Sequence, residues 1–171
     1  MNSPVDVNAV DMLTAQHEEV ASLFEKLADA SSPRRKQQLF EALADMLAVH
    51  VTIEERHFYP AVRAKRTEDI LLESLEEHLS VKRVLSDLLA TPVGDETFDA
   101  KLAVLRDLVS HHVEEEERDL LPKVELLFDD EQLVDIAREM AATQDALVRR
   151  GDPRWSIPKQ TIHAPDLVSY R

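Results

Sequence analysis

Two stretches of the chain place a histidine four residues before a glutamate. Residues 50–60 read HVTIEERHFYP and residues 112–122 read HVEEEERDLLP, and they share His, Val, Glu, Glu, Arg and Pro at the same six offsets. On a helix, residues four apart lie on one face about one turn apart. Each pair could therefore present an imidazole nitrogen and a carboxylate to the same metal ion.

Each pair is preceded by another histidine at a matched distance. His17 lies 33 residues before His50, and His78 lies 34 residues before His112. The pattern H…HxxxE thus occurs twice, which predicts an internal repeat of two helical hairpins related by a pseudo-twofold axis.

Apolar residues at helical spacing put these polar residues on inward-facing stripes of the helices. The predicted metal ligands are His17, His50, Glu54, His78, His112 and Glu116. Burying carboxylates without partners costs several kcal/mol, and cations remove that penalty. Two cations bridged by two carboxylates fit the ligand count. The chain has no cysteine, so the ligands are nitrogen and oxygen, which suits iron, manganese or zinc.

A second register within the glutamate run has the same spacing. His111 and Glu115 are also four residues apart, but only His112 and Glu116 keep the offset to proline seen in residues 50–60. We therefore favour His112 and Glu116 and expect His111 at the flank, at most donating to a ligand. Three glutamates of the run are expected on solvated surface: Glu114, Glu115 and Glu117. The plain alternative is a bundle with an incidental polar seam.

The elements that position these residues are predicted to be helices nearly throughout. Five periodic segments are separated by short breaks, with Ser32 as an N-cap and a capping box from Asp129 to Gln132. The predicted fold is all-α: an antiparallel up-down four-helix bundle with an additional C-terminal helix and an extended tail. The predicted divisions are 1–128 for the bundle, 129–150 for the added helix and 151–171 for the tail, which is either docked through Trp155, Ile157 and Ile162 or loosely ordered.

Composition narrows the classes of partner. A net charge of −14 argues against binding nucleic acid or an anionic membrane surface. Cysteine chemistry is excluded, and no apolar run approaches the roughly 18 residues that span a bilayer. The N-terminal residues do not resemble a signal peptide, so the expected location is the cytoplasm.

From residue 10 to about 128, the duplicated motif resembles the hemerythrin family, specifically the hemerythrin-like HHE cation-binding domains of bacteria. The resemblance implies a four-helix bundle around a non-haem di-iron centre with an oxo or hydroxo bridge. It implies that the four motif histidines are terminal iron ligands and that Glu54 and Glu116 bridge the two irons. Manganese or zinc is the less favoured alternative.

The chain departs from the oxygen-carrying members, which have a fifth histidine one turn from the one on the third helix. Ser74 and Lys82 occupy the positions one turn either side of His78, and neither is a plausible iron ligand. The extra ligand is either missing or supplied by His57, which would otherwise lie behind the ligands or at the bundle end. Tyr59 is the second candidate, and His163 in the tail is expected to be solvated.

This departure leaves several functions open. The first hypothesis is a non-haem di-iron protein that binds or senses dioxygen, nitric oxide or iron itself. The second is a catalase-like enzyme that decomposes hydrogen peroxide. The third is an interaction module without functional metal.

Overall fold

Every regular element in the computed structural model, which describes residues 6–167, is a helix, as predicted. The α-helices are α1 Ala9–Ala28, α2 Pro33–Ile53, α3 Tyr59–Val62, α4 Glu68–Leu89, α5 Phe98–Glu115, α6 Leu121–Leu127 and α7 Asp130–Arg150. Helix α1 packs on α2 and α4 packs on α5, so each half of the repeat is a helical hairpin. Helix α7 packs across α1 and α2. The predicted divisions at residues 128 and 150 stay predictions, although α7 begins and ends close to them.

The helix starts follow from local capping chemistry. The side chain of Asn8 accepts a hydrogen bond from the Asp11 backbone N–H at the start of α1. Ser32 caps α2 in the same way, ahead of Pro33 at the first helical position. The capping box between Asp129 and Gln132 is present in both directions, which confirms that prediction.

Both long helices that carry the HxxxE pairs widen into a π-helical turn at the glutamate. These turns span Glu54–Phe58 and Glu116–Leu120 and occupy matched positions in the repeat. A proline follows each turn, Pro60 and Pro122, and it has no N–H to donate to the carbonyl four residues earlier. The backbone instead bonds five residues back, Tyr59 N–H to Glu54 C=O in the first half. One residue is thereby added to the turn.

Two apolar clusters fill the bundle. In each of the four helices that carry a motif histidine, this histidine lies between the two clusters. The first includes Val20, Phe24, Leu47, Leu85 and Leu105. The second includes Leu13, Ile53, Phe58, Leu71 and Met140, so α7 covers one end of the bundle. A polar layer is therefore enclosed between two hydrophobic cores.

The tail after α7 docks through one of the three apolar anchors expected of it. Ile157 is fully buried, whereas Trp155 and Ile162 are exposed. Polar contacts complete the docking: Arg154 pairs with Asp45 of α2, and Arg83 of α4 donates to two tail carbonyls. Polar contacts thus replace the two missing anchors. Among the described residues, no helix is both long and apolar enough to cross a membrane.

Candidate metal centre

The structure brings all six predicted residues together in the polar layer. His17 comes from α1, His50 from α2, His78 from α4 and His112 from α5, and each is at most 4% exposed. The two carboxylates lie at the start of the π-helical turns and are buried completely or almost so: Glu54 and Glu116. The side chains form two groups of closely spaced donor atoms, which we call the first and second subsites.

The first subsite contains His17 and His50 with both carboxylates. His50 Nε2 lies 3.1 Å from Glu54 Oε1, and His17 Nε2 lies 3.2 Å from Glu116 Oε2. Despite these distances, none of the four atoms makes a hydrogen bond. Buried polar atoms without hydrogen bonds are costly, and here their lone pairs converge on a shared space. A cation in that space would satisfy them all.

The second subsite contains His78 and His112 with Glu54. His78 Nε2 lies 3.0 Å from Glu54 Oε2 and 3.1 Å from His112 Nε2. Glu54 therefore directs one oxygen to each subsite, as a bridging carboxylate does. Glu116 Oε2, 3.5 Å from His112 Nε2, lies near both subsites as well.

Each of the four motif histidines points its Nε2 atom into the cluster. Its Nδ1 atom contacts an acceptor on another helix, which we call the outer partner of that histidine. The Nδ1 contacts are His17 to Glu117 at 2.8 Å, His50 to Gln16 at 2.7 Å, His78 to Glu55 at 3.0 Å and His112 to Glu77 at 2.5 Å. A carboxylate or amide oxygen can only accept, so Nδ1 carries the proton and Nε2 keeps a lone pair for a metal. Outer partners of this kind fix the ring and the tautomer of metal-binding histidines.

Glu117 is exposed on the helix surface, as expected. Its carboxylate nevertheless accepts from His17 Nδ1 on helix α1, a contact that the sequence does not predict. The four outer partners come from other helices than their histidines, so spacing along one helix gave no signal for them. Glu114 is exposed as well, as expected.

The outer partner of His50 differs chemically from the other three. Gln16 is neutral, and its amide nitrogen donates to Gln144 of α7 at 2.7 Å, which leaves its oxygen to accept from His50. The other histidines face carboxylates, of which Glu55 is held by two contacts from the buried Lys82. His50 is thus the one motif histidine whose Nδ1 contacts a neutral acceptor.

The sequence favours His57 over Tyr59 as the residue beside the cluster. Because of the π-helical turn, Tyr59 contacts the cluster and His57 does not. Because the turn contains five residues, the side chain above Glu54 is Tyr59 and not a residue three or four positions on. Its hydroxyl lies 3.2 Å from Glu54 Oε2, 3.2 Å from His78 Nε2 and 3.3 Å from Glu116 Oε1. His57 instead faces α7, where its Nε2 contacts the Thr143 hydroxyl at 2.6 Å.

The two halves of the repeat differ at this position. Five residues after Glu116 stands Leu121, a buried hydrophobe, so one phenol serves the whole cluster. The signal that could have placed Tyr59 is the proline six residues after each glutamate. A regular α-helix would place His57, three residues after Glu54, on the same face as Glu54 and would turn Tyr59 away from it.

The alternative HxxxE pair, His111 and Glu115, lies at the surface. His111 is exposed and Glu115 is partly so, while His112 and Glu116 are buried. The offset to proline therefore selected the inward-facing pair. His163 is exposed in the tail, as expected.

Protons take the place of cations in the metal-free cluster. Burial alone would lower the pKa of His17, but the adjacent carboxylate of Glu116, 3.2 Å from its Nε2, raises it to about 8. Burial likewise opposes ionisation of Glu54, yet the charge of His50 and contacts with three histidines hold its pKa well below the usual range. Burial, with the charges of both carboxylates, raises the pKa of Tyr59 well above 10, so the phenol stays protonated.

A small apolar cavity of about 20 Å³ adjoins the four histidines on the side away from Tyr59. Apart from the imidazoles, its lining is aliphatic: Val20, Leu47, Val51, Val81, Val109 and Val113. About 10–15 Å³ is enough for one water molecule, so this cavity has room for a molecule of two or three atoms.

The fold and the duplicated site define the class of protein. The family model of the hemerythrin HHE cation-binding domain matches residues 8–124, which include all six cluster residues. The chain belongs to this family, and it is a helical bundle with a buried His/Glu cluster suited to binding metal.

Particular relatives resemble most of the chain. The uncharacterized protein Rv2633c of Mycobacterium tuberculosis is 28% identical over 153 residues, 88% of this chain and 92% of that protein. A crystal structure of a hemerythrin HHE cation-binding domain-containing protein from Mycobacterium kansasii, an Rv2633c homolog, matches with a TM-score of 0.75 and 26% identity, covering 90% of this chain and 99% of the other. A protein of Nostoc sp. named DNA nickase is 28% identical over 145 residues, 85% of this chain; the chain spans only 41% of that relative.

Proposed function

We propose that the cluster binds two iron ions in the form of a non-haem di-iron centre. In this proposal His17 and His50 hold one ion, His78 and His112 hold the other, and the two glutamates bridge them. The observation that carries the proposal is the pair of buried donor groups that share Glu54, of which the first subsite has four donor atoms without hydrogen bonds. The donors are neutral imidazoles and carboxylates, a set that suits iron and, less selectively, manganese or zinc.

We propose further that the centre binds or senses a small uncharged ligand, dioxygen or nitric oxide. Bound iron would supply redox activity and open coordination positions. The chain supplies access and selection: the cavity beside the histidines admits a diatomic molecule, and its aliphatic walls offer no partner to a charged or larger one. The same size limit argues against iron storage, because the cavity has no room for a mineral.

In this proposal Tyr59 holds a proton at the edge of the cluster. Its hydroxyl lies within 3.3 Å of both bridging carboxylates, and the raised pKa keeps it in the donor form. It can donate to a carboxylate oxygen or to a group bound between the ligands. His57 is too engaged with α7 to serve as the additional ligand.

Tyr59 also favours a second candidate function, the catalase-like decomposition of hydrogen peroxide. Two molecules of peroxide yield one dioxygen and two water molecules, so no outside oxidant or reductant is required. Protons must move between peroxide oxygens, and a buried phenol beside two carboxylates can hold and return one. Oxygen evolution separates the candidates. A binding protein changes its spectrum once with peroxide, whereas an enzyme evolves oxygen steadily and loses this activity in Tyr59→Phe.

The name of the Nostoc relative makes DNA cleavage a function to test. We propose that this chain does not bind or nick DNA, since its net charge of −14 would repel a phosphate backbone. Supercoiled plasmid incubated with iron-loaded protein should stay supercoiled. Conversion to the relaxed form, lost in His112→Ala, would contradict this proposal.

A further inference from the structure

A second group of metal-binding side chains lies on the surface next to the buried cluster. It consists of Glu77 on α4 with His111 and Glu115 on α5. His111 Nε2 lies 3.3 Å from Glu115 Oε1 and 3.7 Å from Glu77 Oε1. The side chains are 62%, 27% and 17% exposed for His111, Glu115 and Glu77. The unused HxxxE register of the sequence thus forms an outer site of its own with a carboxylate from the next helix.

The composition of this outer site favours a cation. Its three donor atoms lie within 4.8 Å of one another, although two of them belong to carboxylates that repel. Within residues 6–167, no lysine or arginine hydrogen-bonds or ion-pairs with Glu77 or Glu115. One imidazole and two carboxylates from adjacent helices, with one side open to water, form a common donor set for a divalent ion.

The outer site is joined to the buried cluster through one residue. Glu77 directs Oε1 toward His111, while its Oε2 accepts from His112 Nδ1 at 2.5 Å. A cation held by His111 and Glu115 would therefore bind the carboxylate that orients a proposed iron ligand. An outer partner of this kind influences how strongly its histidine binds metal.

We propose that Glu77, His111 and Glu115 form a third, surface site for a divalent cation of the iron, manganese or zinc class. The site exchanges its ion with solvent, and through Glu77 it is coupled to the histidine layer. Occupancy of the outer site follows from its own geometry, while coupling to bound iron rests on the function proposed above.

Zinc titration of iron-loaded, desalted protein tests the outer site. Calorimetry should show one further zinc ion bound per chain. His111→Ala and Glu115→Gln should each weaken this binding by roughly 10-fold or more, since even losing an outer partner of a ligand costs about 10–100-fold in affinity. His163→Ala removes an equally solvated histidine from the tail and should leave zinc binding unchanged. Binding that is absent from the unaltered chain, or is as strong in His111→Ala, would overturn the proposal.

Iron analysis of the same variants distinguishes this proposal from that of the core. His111→Ala should retain the iron content of the unaltered chain, because His112 and Glu116 remain in place. One outcome is that the unaltered chain retains no iron while His111→Ala binds one zinc ion fewer than the unaltered chain. That result would support the outer site and contradict the di-iron proposal.

Discussion

The boundary between proposed metal ligand and outer partner falls between adjacent residues of the chain. Glu54 is buried with an oxygen in each subsite, whereas Glu55 lies behind His78 and is held by Lys82. The inward position of Glu54 can be predicted from the repeat, because it depends only on the matched spacing of the two HxxxE pairs. The role of Glu55 could not be predicted, since the contact depends on how α2 and α4 are packed together.

Neutralising these two adjacent glutamates should have unequal effects. Glu54→Gln removes the charge shared by both subsites and should reduce iron from two per chain to at most one. Glu55→Gln, the matched control, should retain two irons and lower their affinity by about 10–100-fold. Metal analysis after desalting, followed by competition with a chelator, measures both effects. Equal iron content and affinity in the two variants would show that Glu54 has no special role.

The raised pKa of His17 predicts a pH dependence for the metal-free protein. The folded state holds its proton up to about pH 8, while the unfolded chain loses it near 6.5. Stability from this group is therefore complete below pH 6.5 and is lost as pH rises through 8, by roughly 2 kcal/mol for a difference of 1.5 units. Urea unfolding at pH 6 and 8.5 should show this decrease. The metal-loaded protein should not, and a metal-free protein that gains stability over this range would contradict the assignment.

At the scale of elements, the π-helical turns explain the main error of a regular helical reading. A regular helix would place His57 on the face of His50 and Glu54, but the additional residue in the turn directs His57 toward α7 and brings Tyr59 over the carboxylates. The capped starts of α2 and α7, by contrast, could be predicted from sequence because capping depends on neighbouring residues alone. A helix interior responds to proline and to tertiary packing together.

The two prolines offer a matched test of this explanation. Pro60→Ala permits a regular hydrogen bond to Arg56 and should displace the Tyr59 hydroxyl from the cluster. Pro122→Ala is the same change in the second half, where the residue before the proline is Leu121. The absorption spectrum of the iron-loaded protein should change in Pro60→Ala, as it does in Tyr59→Phe, and much less in Pro122→Ala. Equal spectra for all three variants would show that Tyr59 does not interact with the bound iron.

At the scale of the whole molecule, a layer of six polar side chains divides the hydrophobic interior in two. The apolar periodicity of the helices predicted the bundle, and the interrupting polar positions predicted the layer. The tail was less predictable, because short irregular segments dock by individual contacts such as Arg154 with Asp45.

Metal should stabilise the whole bundle, because the folded state alone presents the assembled ligands. With free iron at about 1,000 times its dissociation constant, binding adds roughly 4 kcal/mol per site. For a chain of this length one kcal/mol shifts the melting temperature by about 2–4 °C, so even one filled subsite should raise it by roughly 8–16 °C. Calorimetric melting of metal-free and iron-loaded protein measures this shift. Coincident melting curves would place any bound iron outside the core.

Iron stoichiometry is the most direct test of the proposed di-iron centre. Metal-free protein is loaded with Fe²⁺ without oxygen and desalted to remove weakly held ions, and iron is then counted against chain concentration. A di-iron centre at this cluster requires two irons per chain in the unaltered protein and none in a Glu54→Gln, Glu116→Gln double variant that is still helical by circular dichroism. Iron-free unaltered protein, or equal iron in both, would contradict it.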